Sequence, residues 1–255
     1  MRFASLGSGS EGNGLVVQAG NTTLLLDCGF GIADAARRLE RLGIAPADLN
    51  AIVVTHEHDD HVGGVPRLAR KFGIPVYLTY GTYVATGAKR FAGVTVNIID
   101  SHEPVAVGDI EVRPFPVPHD AREPSQFVFG DGARNVGVLT DTGVTTTHIE
   151  AMLSAADALV LECNHDLDLL MNSTYPRSLK QRISGRLGHL DNTTAARILG
   201  AVKHGGLQHV VAAHLSQQNN SPSLARAALA RALGCDEQWV GVATQDEGFG
   251  WRDVA

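Results

Sequence analysis

An apolar run, AIVVT at 51–55, passes without a break into HEHDDH at 56–61, which packs three histidines and three acidic residues into six positions. A β-branched run bounded by polar residues has the pattern of a strand buried on both faces. Ionisable side chains at the end of such a strand are costly to bury unless they share a partner. In H-x-H-x-D-H, alternate side chains of an extended or turning backbone point the same way. His56 and His58 can therefore converge on one point while Asp60 and His61 reach another. Imidazole nitrogen and carboxylate oxygen suit zinc, and manganese or iron where oxygen predominates. The spacing points to two metals; solvated loop side chains are the plain alternative, which a lone histidine would favour.

The rest of the chain supplies a frame. RFASLGSG, GLVVQAG and NTTLLLDCG, separated by glycine and asparagine turn signals, read as a meander of strands. A helix fits Ala33–Leu42, with Ala35, Leu39 and Leu42 at helical spacing and Gly43 as its stop. Helices over PRLARKFG and Gly81–Phe91 then alternate with strands over IPVYLT and VTVNIID. A hairpin-like VAVGDIEVRPFPVPH and a strand pair in QFVFGDGARNVGVLTDTG follow. ALVLE and HVVAAH read as strands, and NTTAARILGAVKHG and SPSLARAALARALG as helices. Early meanders with later helix–strand units imply layered α/β architecture with mixed sheets and outer helices. No linker or break in composition divides residues 1–255, so one domain is expected.

Three further candidates each follow an apolar run: His119 after VRPFPVP, Asp141 after NVGVLT and His214 after HVVAA. All can sit at one end of a sheet, where α/β sites gather.

These residues together resemble the metallo-β-lactamase superfamily: THEHDDH with Gly63 and Gly64, His119, the TDTG around Asp141, and a last histidine at a strand end. LLLDCG, with Asp27, is similar to the family's first motif, whose aspartate supports the metal loop from behind. The resemblance implies a four-layer αββα sandwich of two mixed sheets, with the metals at one edge. It implies that His56, His58 and His119 hold one divalent ion, that Asp60, His61 and His214 hold a second, and that Asp141 bridges them; zinc and manganese are the candidate ions. Two cations sharing a water bring its pKa towards neutrality, so a bridging hydroxide serves as nucleophile, with Asp60 orienting it.

LGSGSEGN, PHDA at 118–121, the segment 161–192 and HLSQQNN at 214–220 closely resemble the YycJ/WalJ-type subgroup of bacterial metallo-hydrolases. That likeness implies 5′-to-3′ exonuclease action on double-stranded DNA. GHLDN around His189 is similar to a motif of phosphodiesterases in the superfamily, in which the histidine protonates the leaving oxygen; Glu162 stands where its acidic support is expected. Helix capping or packing is the competing role for His189. Between Asp168 and Asp191 there is no acidic residue, whereas Arg177, Lys180, Arg182 and Arg186 all occur. Lys180, Arg182 and Arg186 are thus candidates to guide a phosphate backbone, a solvated helix face being the alternative. The small side chains of GSGSEGNG would let Ser8, Ser10 or Asn13 approach a phosphate. His165 lies in the subgroup-like ECNHD and is expected near the substrate, without an assigned role.

Composition narrows the classes. A net charge of −6 argues against coating nucleic acid by bulk electrostatics while leaving room for a local basic patch. No apolar stretch reaches the about 18 to 20 residues of a membrane span, and the start lacks a basic-then-apolar leader, which suggests a cytoplasmic protein. Cys28, Cys163 and Cys235 are widely spaced and odd in number, so buried free thiols are expected. His102, His148, His204 and His209 have no motif around them and are assigned to surface or packing. No obligate protein partner is readable. The function is read as a dinuclear metal-dependent phosphodiesterase acting on duplex DNA ends. The alternatives are a hydrolase of small thioesters, lactones or cyclic nucleotides, and a metal-binding protein without catalysis.

Overall fold

Two seven-stranded sheets lie face to face in the computed structural model, which describes residues 1–255. The first half contributes the antiparallel strands β1 (Arg2–Gly7), β2 (Gly14–Ala19) and β3 (Thr22–Leu26), followed by helix α1 (Ile32–Arg41). Strand β4 (Ala51–Val53), helices α2 (Asp59–Val62) and α3 (Val65–Phe72), strand β5 (Val76–Thr79), helix α4 (Tyr80–Thr86) and strand β6 (Val96–Ile99) complete it. The second half runs through β7 (Val105–Val107), β8 (Ile110–Pro116), β9 (Ser125–Gly130) and β10 (Asn135–Leu139), all antiparallel. Helix α5 (Thr147–Leu153), strand β11 (Ala158–Glu162) and helices α6 (Leu167–Asn172), α7 (Arg177–Ile183) and α8 (Asn192–Val202) come next. They are followed by β12 (His209–Ala213), α9 (Pro222–Leu233), β13 (Gly241–Val242) and β14 (Phe249–Asp253). The sheet orders are β14-β1-β2-β3-β4-β5-β6 and β13-β12-β11-β10-β9-β8-β7.

Alternation along the strands builds the layers. Val17, Leu24, Leu26 and Val53 face Phe127, Phe129, Val138 and Val160 across the gap between the sheets. The intervening Val16, Leu25 and Ile52 pack on Ala35 and Leu39 of α1 and on Leu68 of α3. Val128, Leu159 and Val210 pack on α5, α8 and α9 through Leu153, Ile198 and Leu229. Each fully buried large side chain of this kind contributes about 1.5–3 kcal/mol. The result is the αββα order expected from the sequence, and no helix is long and apolar enough to cross a membrane.

Strands β3, β4 and β5 run parallel, as do β10, β11 and β12. Because β8 is antiparallel to β9 and β9 to β10, β8 ends at the same edge as β10. Polar loops leaving these ends share one rim. Three residues just past strand ends, Asp27, Asp141 and His214, hold left-handed backbone with φ of 58°, 49° and 55°. Aspartate and histidine tolerate this region better than most residues, yet it is strained and persists because the surroundings over-determine it.

Several expectations need correction. The helix over Gly81–Phe91 is divided: α4 ends at Gly87, whose φ of 92° no helix accommodates, and Ala88–Phe91 forms a separate 3₁₀ turn. Cys28 and Cys163 are buried, but Cys235 is exposed, since it follows the glycine cap of α9 and leaves the core. The short strands β13 and β14 had no readable signal, and β14 returns to pair with β1 in the opposite sheet.

The metal loop is locked by close backbone approach. A Cβ on Gly64 would lie 1.9 Å from the Phe30 carbonyl oxygen, whereas a Cβ on Gly31 would meet nothing within 4 Å. Gly64→Ala is therefore expected to destabilise the chain by about 1–3 kcal/mol in denaturant unfolding, and Gly31→Ala, which loses only the helix N-cap preference for glycine, by less than about 1 kcal/mol. Equal effects would contradict this packing.

Candidate metal centre

Asp27, at the end of β3, is the foundation of the rim. Its buried carboxylate accepts hydrogen bonds from the Thr55 amide and hydroxyl, both at 2.8 Å, and lies 2.8 Å from His61 Nδ1. The Thr55 hydroxyl in turn meets His56 Nδ1 at 2.9 Å. With its proton directed to Asp27, that hydroxyl accepts from His56 Nδ1–H. The outer nitrogens of His56 and His61 are thus donors, and both Nε2 atoms face inward, that of His56 with its lone pair free. His119 is held the same way, its Nδ1 directed at the Gly188 carbonyl at 3.1 Å.

Two sets of donors result. His56 Nε2 and His119 Nε2 lie 3.0 and 3.3 Å from His58 Nδ1. Protons cannot satisfy three converging imidazole nitrogens at once, whereas a tetrahedral zinc site, with bonds of about 2.0–2.1 Å, spaces its ligands about 3.3 Å apart. Asp60 Oδ2 lies 3.4 Å from His61 Nε2 and 3.5 Å from His214 Nε2, forming the second set. Asp141 lies against the second set, with Oδ2 2.9 Å from His61 Nε2 and Oδ1 3.4 Å from His214 Nδ1, and it groups with His56 of the first set as well. That Oδ2 is buried, and its one close polar neighbour is His61 Nε2, which it meets without well-directed hydrogen-bond geometry. A buried carboxylate oxygen so placed fits a cation, and the donor chemistry of both sets fits divalent metals.

Glu162, at the end of β11, has a different task. Its Oε1 faces His189 Nδ1 at 2.8 Å and His214 Nδ1 at 3.3 Å, and its Oε2 accepts from the Thr142 and Leu190 amides. With both oxygens engaged, Glu162 supports the two histidines and has nothing left for a metal. His189 follows α7, its amide donating to the Ile183 carbonyl at 2.8 Å. It is 22% exposed, so the nitrogen opposite Glu162 borders the opening.

Burial drives His56 well below its ordinary pKa, with the neighbouring imidazoles adding to it, and lowers His119. Both are therefore neutral, ready as ligands. Burial also opposes charge on His61, His214 and His189, but nearby carboxylates outweigh it. Asp141, Asp60 and Asp27 hold His61 well above its usual value; Asp141, Asp60 and Glu162 hold His214 at about 9; Glu162 and Asp141 hold His189 at about 10. Against the cost of burial, these imidazoliums keep Asp60 and Asp141 ionised and Glu162 at about 2.

Other expected residues are placed differently. Ser8 and Asn13 are buried, and their contacts are internal. Ser8 Oγ accepts from the His214 amide at 2.9 Å and donates to Asn13 Oδ1 at 3.1 Å; Asn13 Nδ2 lies 3.3 Å from Asp60 Oδ2. Turned inward onto His214 and Asp60, these two side chains are not free to meet a phosphate as expected; Ser10 alone of the three is exposed. His165 is only 1% exposed, with its backbone bridged to Asp191, and so cannot touch a substrate from outside. Lys180 has its ammonium tied 2.7 Å from the carbonyls of both Met171 and Ser173. Arg182 pairs with Asp120 at 2.7 Å, and Arg186 remains exposed. Thr55, Asp120 and the Gly188 carbonyl had not been singled out. Only the position of Asp120 beside His119 hinted at a role, since Asp120 Oδ1 lies 3.5 Å from His119 Nε2.

Because His61 and His214 carry protons in the metal-free chain at neutral pH, cations must displace them. Metal affinity is expected to rise with pH towards about 9, the value for His214, with net proton release. Calorimetry in buffers of different ionisation enthalpy measures that release; a pH-independent affinity would contradict the protonated state of these two imidazoles.

Comparison with known proteins identifies the family and the fold. The family model described as the β-lactamase superfamily domain matches residues 22–215. Exodeoxyribonuclease YycJ of Bacillus anthracis is 35% identical over 245 residues, covering 95% of this chain and 92% of its own. Exodeoxyribonuclease WalJ of Streptococcus pneumoniae is 32% identical, covering 94% and 91%. The crystal structure of the metallo-β-lactamase fold protein YhfI from Bacillus subtilis superposes with a TM-score of 0.77 at 20% identity, covering 98% of each chain. The chain belongs to the metallo-β-lactamase superfamily and is a hydrolase of that fold, with exodeoxyribonucleases among its full-length relatives.

Proposed function

We propose that the protein is a dinuclear metal-dependent phosphodiesterase that degrades double-stranded DNA from its ends, 5′ to 3′. The observation that carries this reading is the His189–Glu162 pair beside the donor sets, because a sugar alkoxide leaves far more readily when it receives a proton. The relatives named as exodeoxyribonucleases over nearly the whole chain support DNA as the substrate, and the subgroup resemblance supplies the polarity.

His56, His58 and His119 would hold one ion and Asp60, His61 and His214 the other, with Asp141 shared. Bound divalent cations supply Lewis acidity and a water acidified towards neutral pH. Asp60, partly exposed at 25%, orients the attacking water on the open side. Glu162 holds His189 through Nδ1 and keeps the imidazole charged, so the opposite nitrogen gives its proton to the departing oxygen. Asp27 and Thr55 hold His56 and His61 from behind and exclude water from their outer nitrogens.

His189→Ala is expected to keep its metals but to lose roughly 10²- to 10⁴-fold in rate on DNA, and much less on a nitrophenyl diester, whose leaving group departs without a proton. Equal losses on the two substrates would remove the acid role. End-labelled single- and double-stranded DNA and RNA test the substrate: the parent should shorten duplex DNA from the 5′ end. If no nucleic acid is cut with any divalent metal, hydrolysis of a small ester replaces this reading.

A further inference from the structure

From His61 to Ile99 the chain carries Arg67, Arg70, Lys71, Lys89 and Arg90 and not one Asp or Glu, in a protein whose net charge is −6. Folding places two of these cations beside the metal loop. Arg67 of α3 and Arg90 of the following 3₁₀ turn line a cavity of about 490 Å³, whose other walls include Asp59 and Gly31. Arg67 is exposed and pairs with no carboxylate. Arg90 Nη1 lies 3.2 Å from Asp59 Oδ1, but that aspartate side chain is 84% exposed. An ion pair so open to water is worth little, so Arg90 can exchange Asp59 for another anion at small cost.

The glycines around the cavity have unequal reasons to be there. Side chains on Gly29, Gly63 and Gly64 would strike backbone oxygens at 2.1, 2.4 and 1.9 Å, so packing accounts for these three. Gly31 is different: its φ is an ordinary −64°, and a Cβ would meet no atom. Packing does not account for this glycine, which caps the N-terminus of α1 and leaves open space at the edge of the cavity.

We propose that this cavity is a phosphate subsite, in which Arg67 and Arg90 grip a backbone phosphate of the DNA strand whose neighbouring phosphodiester lies at the metal centre. The proposal rests on the nuclease reading above. Guanidinium groups match phosphate oxygens in paired hydrogen bonds, and a bare glycine lets a tetrahedral anion approach the backbone. Asp59 lines the cavity, while Asp60 and His61, next on α2, belong to the metal donors. The subsite and the donors thus stand on consecutive residues of α2, a placement that suits nearby phosphates of a single strand.

The test compares the metal-loaded parent with Arg67→Ala/Arg90→Ala and with Gly31→Leu, on labelled duplex DNA over about 50 to 200 mM salt. Both variants should raise KM for DNA at least tenfold at the low end. The double arginine variant should also flatten the salt dependence by about one phosphate contact. Hydrolysis of bis(p-nitrophenyl) phosphate should match the parent in both, the melting temperature should match it in the arginine variant, and Gly31→Leu should melt only slightly lower for the loss of its N-cap glycine. Variants that cut DNA with the parent's KM and salt slope overturn the subsite while leaving the nuclease reading intact. Loss of diester hydrolysis alongside DNA cleavage also overturns it, because the residues would then be serving the metal loop. A parent that hydrolyses the small diester but neither binds nor cuts DNA overturns both.

Discussion

The buried carboxylate of Asp27 is the interaction on which the rest of the centre depends. It joins the end of β3 to the end of β4 through the Thr55 amide and hydroxyl and receives His61 Nδ1, all at 2.8 Å. One carboxylate thereby sets the tautomer of two candidate ligands, directly for His61 and through Thr55 for His56. Its backbone is left-handed, which turns the chain sharply away from β3 and directs the side chain beneath the following loop. Asp141 and His214 repeat that conformation past β10 and β12 in the second sheet, so both sheets offer donors to the gap between them.

This arrangement also explains how so many charges are tolerated at 0–5% exposure. An isolated buried carboxylate would cost several kcal/mol. Here Asp60 and Asp141 are balanced by protons on His61 and His214, and those protons occupy the inward positions that a cation would claim. In the His56, His58 and His119 set the pull of the buried Asp141 does not offset burial, and the two buried members stay neutral. The two sets thus differ in charge before any metal arrives, one being purely imidazole and the other built around carboxylates. That asymmetry allows the two ions to differ in affinity, and in identity where oxygen donors favour manganese.

Much of this was legible in the sequence because strand ends advertise themselves. His56, His58, Asp60, His61, His119, Asp141 and His214 each follow an apolar run, and the fold brings all seven to one rim. Glu162 and His189 were legible only through a motif, and their contact spans 27 residues. What escaped was the work of residues with no chemistry of their own to announce. Ser8 reaches His214 across 206 positions, and the carbonyl of Gly188 orients His119 across 69. Lys180 looked like a free cation and is tied to carbonyls at the end of the preceding helix, whereas Arg67 and Arg90 lay in segments read only as helices. Charge counted along a sequence does not say which groups folding leaves unpaired. The late strand β14 escaped for a related reason: its five residues alternate weakly, and it is the pairing with β1 that makes them a strand.

The central claim is that seven strand-end donors form two adjacent metal sites joined by Asp141. Anomalous diffraction from crystals grown with zinc, or with manganese, measured on both sides of the absorption edge, tests it most directly. Two peaks about 3.5 to 4 Å apart, one among His56, His58 and His119 and one among Asp60, His61 and His214, with Asp141 between them, are the predicted result. A single peak in a fully active crystal preparation, or peaks coordinated by other residues, would contradict the account.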